Sequence, residues 1–438
     1  MKKYILGLGL AVVFGGLVWL WRESSPPTWS TGDPEVLAVV EQARKELAKL
    51  YFREAAELLE AAARKAPGSF AVRYYLSRAY RGLGREQQAR EQVEILKSMD
   101  PATLTPWERM LLDLLLLRRS GDREAYLARL LEYQAAYPRE AELTRLLAAA
   151  YQELGKLDQT EFWGRKTLEL DANDALSYNI LGYAELSRGQ FAAAEEQFRK
   201  YAFIAADQAN PHDSLGELFL ITGRYEDAAR EIQRAIETNP RFYPAWRHLA
   251  DLAVIQGRLP EAQRAVQGLA EALELSPEEA ARERATAEAL LGFFYAQDQL
   301  LQQGARELGS PRDDWEYFVV HAAALARGDF KAAEVVEAQL DQALRAGPVS
   351  RSLVRIKPLL AAHRALVTGA WGQAQELAAE GAAKSSFASV GQAWIKLTAL
   401  CWQAQALSAL GRREDAGAVW DQVRAVNPRF PLLQGGAP

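Results

Sequence analysis

The chain has 438 residues, 49% of them hydrophobic and 25% charged. That is ample apolar material for a large core and too much for an intrinsically disordered protein. Lys plus Arg number 52 against 57 Asp plus Glu, a formal charge of −5, so the basic excess of a nucleic-acid binder is missing. The one cysteine, Cys401, excludes an intramolecular disulfide and a zinc cage. Its apolar surroundings, Thr398 to Leu407, make it a small core residue.

Residues 1–3 form a short basic flank, with Lys2 and Lys3 ahead of an uncharged run from Tyr4 to Trp21. Eighteen helical residues span about 27 Å, close to the hydrocarbon thickness of a bilayer. Tyr4, Trp19 and Trp21 stand at the ends, where aromatic rings favour the interface. The zone after the run holds Trp, Arg and Glu instead of the small residues of a cleavage site. Segment 4–21 is therefore expected to be an uncleaved transmembrane signal-anchor, with a cleaved signal peptide as the competing reading, residues 1–3 cytoplasmic and the rest of the chain across the membrane. Gly7, Ala11 and Gly15 fall on one face at a spacing that lets transmembrane helices approach closely. Residues 22–34, with Pro26-Pro27, read as a linker.

A 34-residue beat then takes over. Gly155, Gly189, Gly223 and Gly257 keep it, as do Leu147, Leu181, Leu215 and Leu249. Ala194, Ala228 and Ala262 keep it too. One period of this length means one small unit copied along the chain. Each unit reads as two amphipathic helices. In residues 209–240 the first helix carries Leu215, Gly216 and Phe219, and Gly223 closes it. The second carries Tyr225, Ala228, Ile232 and Ala235, and Pro240 stops it. Gly182 and Gly216 mark close helix approaches. The step from Gly84 to Gly121 is 37 residues, which predicts three extra residues in the helix around Leu111 to Arg118. That helix starts at Thr105-Pro106-Trp107-Glu108, a capping box with proline in the first turn.

Past Gly257 the beat stretches. Gly328, Gly369 and Gly411 are 41 and 42 apart. Leu291-Gly292 looks like a unit core with no turn glycine after it. Ser276-Pro277 and Ser310-Pro311 read as helix starts. The domain reading is a regular array over 35–275, a divergent array with longer units over 276–428, and a C-terminal tail over 429–438.

The order Leu-Gly, Gly-x-aromatic, Ala, Phe or Ile, Ala, Pro resembles the tetratricopeptide repeat (TPR). It is carried by Leu181-Gly182, Gly189-Gln190-Phe191, Ala194 and Phe198, and by Leu215-Gly216, Gly223-Arg224-Tyr225, Ala228, Ala235 and Pro240. The resemblance implies an all-α fold, a right-handed superhelical solenoid of about ten helix pairs, here preceded by one transmembrane helix. It also implies a concave groove, lined by the first helix of each pair, that takes a peptide or partner helix. The positions that match are Tyr74, Arg78 and Arg81, then Arg145 and Gln152, Asn179 and Tyr183, Asp213 and Glu217, and Arg247 and Asp251. The Lys and Asn set of the chaperone-binding carboxylate clamp is not matched.

Catalytic signals are weak. His212, Asp213 and Ser214 are adjacent, so on a helix they diverge and cannot converge as a triad. His321 and His363 occupy similar points of successive units and are expected to come near each other, without the further ligands a metal site needs. Glu195-Glu196 and Asp313-Asp314 read as solvated faces or caps. Arg345, Arg351, Arg355 and Lys357 form a local basic patch. No phosphate-binding loop or dinucleotide fingerprint is present.

These readings lead to a non-enzymatic, membrane-anchored scaffold or assembly factor on the periplasmic side of a bacterial cytoplasmic membrane. Its expected contacts are protein partners in the groove and the membrane through segment 4–21, with no nucleic acid, cofactor, metal or small-molecule substrate. An accessory subunit held mainly by its transmembrane helix is the alternative, with an enzyme third.

Overall fold

The computed structural model describes residues 28–346 and 351–435. The predicted membrane segment 4–21, with Gly7, Ala11 and Gly15, lies outside the described residues. Among the described residues, no helix is long and apolar enough to cross a membrane.

The described residues form 22 α-helices of 11 to 20 residues and one last turn, Leu432–Gly435, with no strand among them. Successive helices pair antiparallel across short turns. The glycine beat is the reason. Gly84, Gly121, Gly155, Gly189, Gly223 and Gly257 all sit at φ between 70° and 78°, the left-handed conformation that ends a helix and that a side chain disfavours. The apolar stripe then sets which face is buried. Tyr225–Thr238 buries Tyr225, Ala228, Ile232, Ala235 and Ile236. Gly216 of the preceding helix meets Ile232 so closely that an added Cβ would lie 2.6 Å from its side chain. A fully buried isoleucine contributes roughly 1.5–3 kcal/mol, so glycine here is what admits that contact.

Two turns within helix pairs dispense with glycine. Leu50, at φ 63°, stands 34 residues before Gly84, and Ala296, at φ 51°, follows the Leu291-Gly292 core. This explains the missing glycine of the eighth unit: the turn is made with alanine. Left-handed alanine costs roughly 1–2 kcal/mol. Ala296 is exposed, so Ala296→Gly is expected to stabilise the fold by about 1 kcal/mol, seen as a higher urea midpoint with an unchanged slope.

The sequence misplaced some details. Helix starts advance 36 residues from Phe70 to Pro106 and 35 from Pro106 to Ala141. Two of the three extra residues therefore precede the helix, in the loop 98–105, and one lies in it. Its capping box forms as expected, with Thr105 Oγ1 accepting from the Glu108 amide and Glu108 accepting from the Thr105 amide. The helix expected after Ser310 starts at Asp314, capped by Asp313. Residues 28–33 are not a free linker. Ser30 donates its amide and hydroxyl to Glu108 at 2.9 and 2.8 Å, and Trp29 meets Tyr75 edge-on at 5.9 Å.

Compactness divides the chain at Leu181/Gly182, inside the helix Ala175–Ser187, whereas the lengthening of the helices begins after residue 275. The first unit is a run of stacked pairs with one continuous core from Val36 to Ala150. The second unit returns on itself. The 20-residue helix Val390–Ala409 packs on Ala209–Ile221. Phe387 meets Phe191 at 5.2 Å and Phe430 meets Phe294 at 5.8 Å. Asn427 hydrogen-bonds to Tyr225, and Arg429 pairs with Glu226 at 2.7 Å. The expected tail beyond 428 is thus packed as far as it is described. Phe430 is fully buried.

Candidate functional site

In the first unit the first helices of consecutive pairs expose an open groove of about 900 Å³. Arg78, Arg81 and Arg145 line it, and so do Arg44, Lys45 and Arg118. Three carboxylates, Glu41, Glu142 and Asp171, share the lining. Tyr74 is not on the surface. It is buried beneath, stacked on Phe70 at 6.0 Å and edge-on to Tyr75 at 5.0 Å. Arg78 lies over both tyrosines, 5.9 and 5.8 Å from the ring centres, a cation–π arrangement that holds the guanidinium against the floor.

The charges are unevenly matched. Arg44 pairs with Glu41 and Glu142 at 3.0 and 3.7 Å, Arg145 with Asp174 at 3.0 Å, and Arg118 with Glu153. Arg78 and Arg81 have no carboxylate within salt-bridge distance among the described residues. Burial, then the neighbouring Arg118 and Arg78, depress the Arg81 pKa. The groove is a cationic surface with two arginines left to interact with whatever enters. Arg44 and Arg118 were legible in the sequence. Arg44 stands 34 residues before Arg78, and Arg118 stands 37 after Arg81, the same offset as Gly84 to Gly121.

Gln152 and Asn179 do not line the groove. The Gln152 amide reaches the Ile180 carbonyl at 3.5 Å, and Asn179 is half-buried on its helix.

In the second unit the expected open face is occupied by the chain itself. Asp213 and Glu217 are 2% and 4% exposed. The reading of both as open to a partner is corrected, because Val390–Ala409 lies over them. The Val390 amide donates to Glu217 Oε1 at 3.1 Å, and Tyr183 donates its hydroxyl to Glu217 Oε2 at 2.7 Å. His248, which the alignment did not single out, sits between the two acids. Its Nδ1 is 2.8 Å from Asp213 Oδ1 and its Nε2 is 3.6 Å from Glu217 Oε1. Burial works to lower the His248 pKa. The two carboxylates outweigh it and hold the imidazole protonated, well above its ordinary range. Burial likewise raises Asp213 and Tyr183. For Glu217 the contacts with His248, Tyr183 and the Val390 amide overcome burial and leave it lowered.

Beside this cluster is a partly enclosed cavity of about 240 Å³. Arg247, Asp251, Glu217, His248 and Glu283 face it, with Trp315 and Trp394 among its apolar walls. Arg247 is exposed and makes a two-pronged pair with Glu283 at 3.0 and 2.8 Å. Asp251 accepts no hydrogen bond and enters no ion pair among the described residues. Burial raises its pKa to about 6, against the pull of His248 and Arg247.

The other sequence candidates resolve simply. His212 pairs with Glu231 at 2.7 Å and Asp213 with His248, so no triad assembles. His321 and His363 do approach, with ring centres 6.0 Å apart. His363 stacks on Trp402 at 4.6 Å, and burial beside His321 lowers its pKa to about 3. No group of three or more metal-ligating side chains occurs among the described residues. Cys401 is fully buried, its thiol pushed up to about 12 by burial. Asp313 serves as a helix cap. In the basic patch, Lys357 pairs with Asp341 at 2.6 Å, and the side chain of Arg351 lies outside the described residues.

Helix pairs repeated at 34 residues and turned by left-handed glycines define an α-helical repeat protein. Two sequence models of the tetratricopeptide repeat match residues 52–111 and 214–280, so the chain carries tetratricopeptide repeats in those two stretches. A curated relative, the tetratricopeptide repeat-containing protein trd-1 of Caenorhabditis elegans, is 30% identical over 97 residues. The match spans 22% of this chain and 12% of that protein. Among solved structures, PilW, a widely conserved type IV pilus biogenesis factor, is 18% identical with a TM-score of 0.35, covering 53% of this chain and 91% of its own. A tetratricopeptide repeat protein from Parabacteroides merdae is 14% identical with a TM-score of 0.37, covering 75% and 99%. Both scores are low, and neither likeness bears on a partner.

Proposed function

We propose that this chain is a non-enzymatic scaffold that holds a protein partner in the groove of its first unit. The observation that carries this is the unmatched pair Arg78 and Arg81 on a tyrosine floor in an open groove. In the second unit the equivalent face is filled by Val390–Ala409. Arginine over aromatic rings is the composition of interface hot spots, and partly matched charge favours a segment of complementary sign. The apolar run 4–21 anchors the scaffold in a bacterial cytoplasmic membrane, with residues 1–3 inside and the repeats on the periplasmic side. There the groove recruits a component of a larger membrane-associated assembly.

Two experiments test the reading. Cross-linking and mass spectrometry in native membranes should identify a partner cross-linked to groove residues. Arg78→Glu/Arg81→Glu is expected to cut that cross-link at least about tenfold while leaving the helical content unchanged. An undiminished cross-link would sink the groove reading. Replacing residues 1–27 with a cleavable signal should retain the partner, whereas loss of the partner would shift the role to the membrane helix. The replacement stops at 27 because Trp29 and Ser30 belong to the folded unit. A reporter fused after Pro438 should be active outside the cytoplasm only.

A further inference from the structure

We propose that the cavity beside His248 in the second unit is a binding site for a small organic cation, an alkylammonium held against the tryptophan wall of Trp315 and Trp394 with Asp251 as its counter-charge. This goes beyond the scaffold reading and uses different residues from the groove.

The charge inventory of the cavity supports it. Three carboxylates line the cavity, Glu217, Asp251 and Glu283, and Asp213 joins them through His248. Two cations answer them. His248 is shared by Asp213 and Glu217, and Arg247 is committed to Glu283 through both prongs of its guanidinium. Asp251 is left over. Among the described residues no hydrogen-bond donor approaches it, and its open surface faces the cavity. Asp251 is half-buried, and a carboxylate only partly solvated and without a protein partner is stabilised by a cation in the cavity. An anion would meet the excess negative charge and is disfavoured.

The walls fit the same class. Trp315 and Trp394 stand edge to face, with ring centres 6.0 Å apart, and Val254, Leu269 and Leu290 complete an apolar lining. Indole faces attract ammonium groups, most strongly where water is excluded. At about 240 Å³ the space lies below the ~300–1,000 Å³ of drug-sized pockets, so the ligand is small. Exposed Arg247 and half-buried Glu283, paired with each other, give the cavity a polar edge.

The test is calorimetric titration of the full-length protein, in a non-ionic detergent, with butylammonium, butan-1-ol and butyrate as matched probes. Butylammonium is expected to bind saturably, one per chain, and to change tryptophan fluorescence. The alcohol and the acid should not. Binding should weaken as pH falls through about 6, where Asp251 takes up a proton, and Asp251→Asn should weaken it at least tenfold. Equal binding of butan-1-ol, unchanged binding in Asp251→Asn, or no saturable binding of butylammonium each overturns the proposal. Tighter binding of Nα-acetyl-lysine methylamide would also overturn it, because the cation would then be a lysine side chain of a protein. None of these outcomes alters the cross-linking test of the groove.

Discussion

Replacing His248 with leucine is expected to destabilise the second unit by about 3–5 kcal/mol at neutral pH, the cost of leaving a buried charge without its partner. His248 stands between Asp213 and Glu217, both almost wholly buried. Leucine keeps the volume but removes the cation that those two acids share. Glu217 also receives the Val390 amide, so helix Val390–Ala409 should lose protection first. Hydrogen exchange followed by mass spectrometry reads this segment by segment. It suits a repeat protein better than a single melting curve, since arrays depart from two-state unfolding. Faster exchange at 390–409 with no change in residues 34–170 is the expected pattern. Equal exchange throughout would show that the cluster does not hold the helix.

The pH dependence has a definite sign. The folded-state pKa of His248 is raised above its ordinary 6.5, so the folded state holds a proton that the unfolded state releases. That contribution is complete below pH 6.5 and is lost as pH rises through the elevated folded value. Wild-type protection of 390–409 should therefore fall on the alkaline side. In His248→Leu the remaining acids favour protonation, so its protection should instead recover as pH is lowered.

Asp251→Asn is expected to do the opposite and stabilise the protein, by roughly 2–3 kcal/mol at pH 7 and above. The Asp251 pKa is raised from 3.8 to about 6, close to two pH units at 1.36 kcal/mol each. A raised carboxylate pKa means that the folded state disfavours the ionised form. The penalty is absent below the unfolded value of 3.8 and grows until pH passes about 6. Asparagine keeps the shape without the charge. The difference between variant and wild type should thus vanish near pH 3.5 and reach a plateau above pH 6, in denaturation series across that range. A stabilising substitution at a polar residue in a cavity is the signature of a group kept for function at the expense of the fold. Asp251→Asn no more stable than wild type at pH 7 would mean that the carboxylate has a partner in solution.

Much of this protein was decided by local sequence. Glycine at a fixed beat forces a left-handed turn, and the turn forces a helix pair. The stripe of Tyr225, Ala228, Ile232 and Ala235 then chooses the buried face. Thr105 and Glu108 cap their helix with groups three residues apart. Such interactions reach no further than one turn or one repeat, so periodicity reports them faithfully. It also located Arg78, Arg81 and Arg145 on one groove.

What periodicity could not report is where the array meets itself. Glu217 and Val390 are 173 residues apart, and Tyr225 and Asn427 are 202 apart. Contacts at that range depend on small rotations accumulated over many helix pairs, which no single repeat encodes. Only the tertiary structure closes the second unit, buries Asp213 and Glu217 around His248, and leaves Asp251 unmatched. Repeat position made these residues look equivalent to Arg145 and Arg78 of the first unit. The returning helix made them interior.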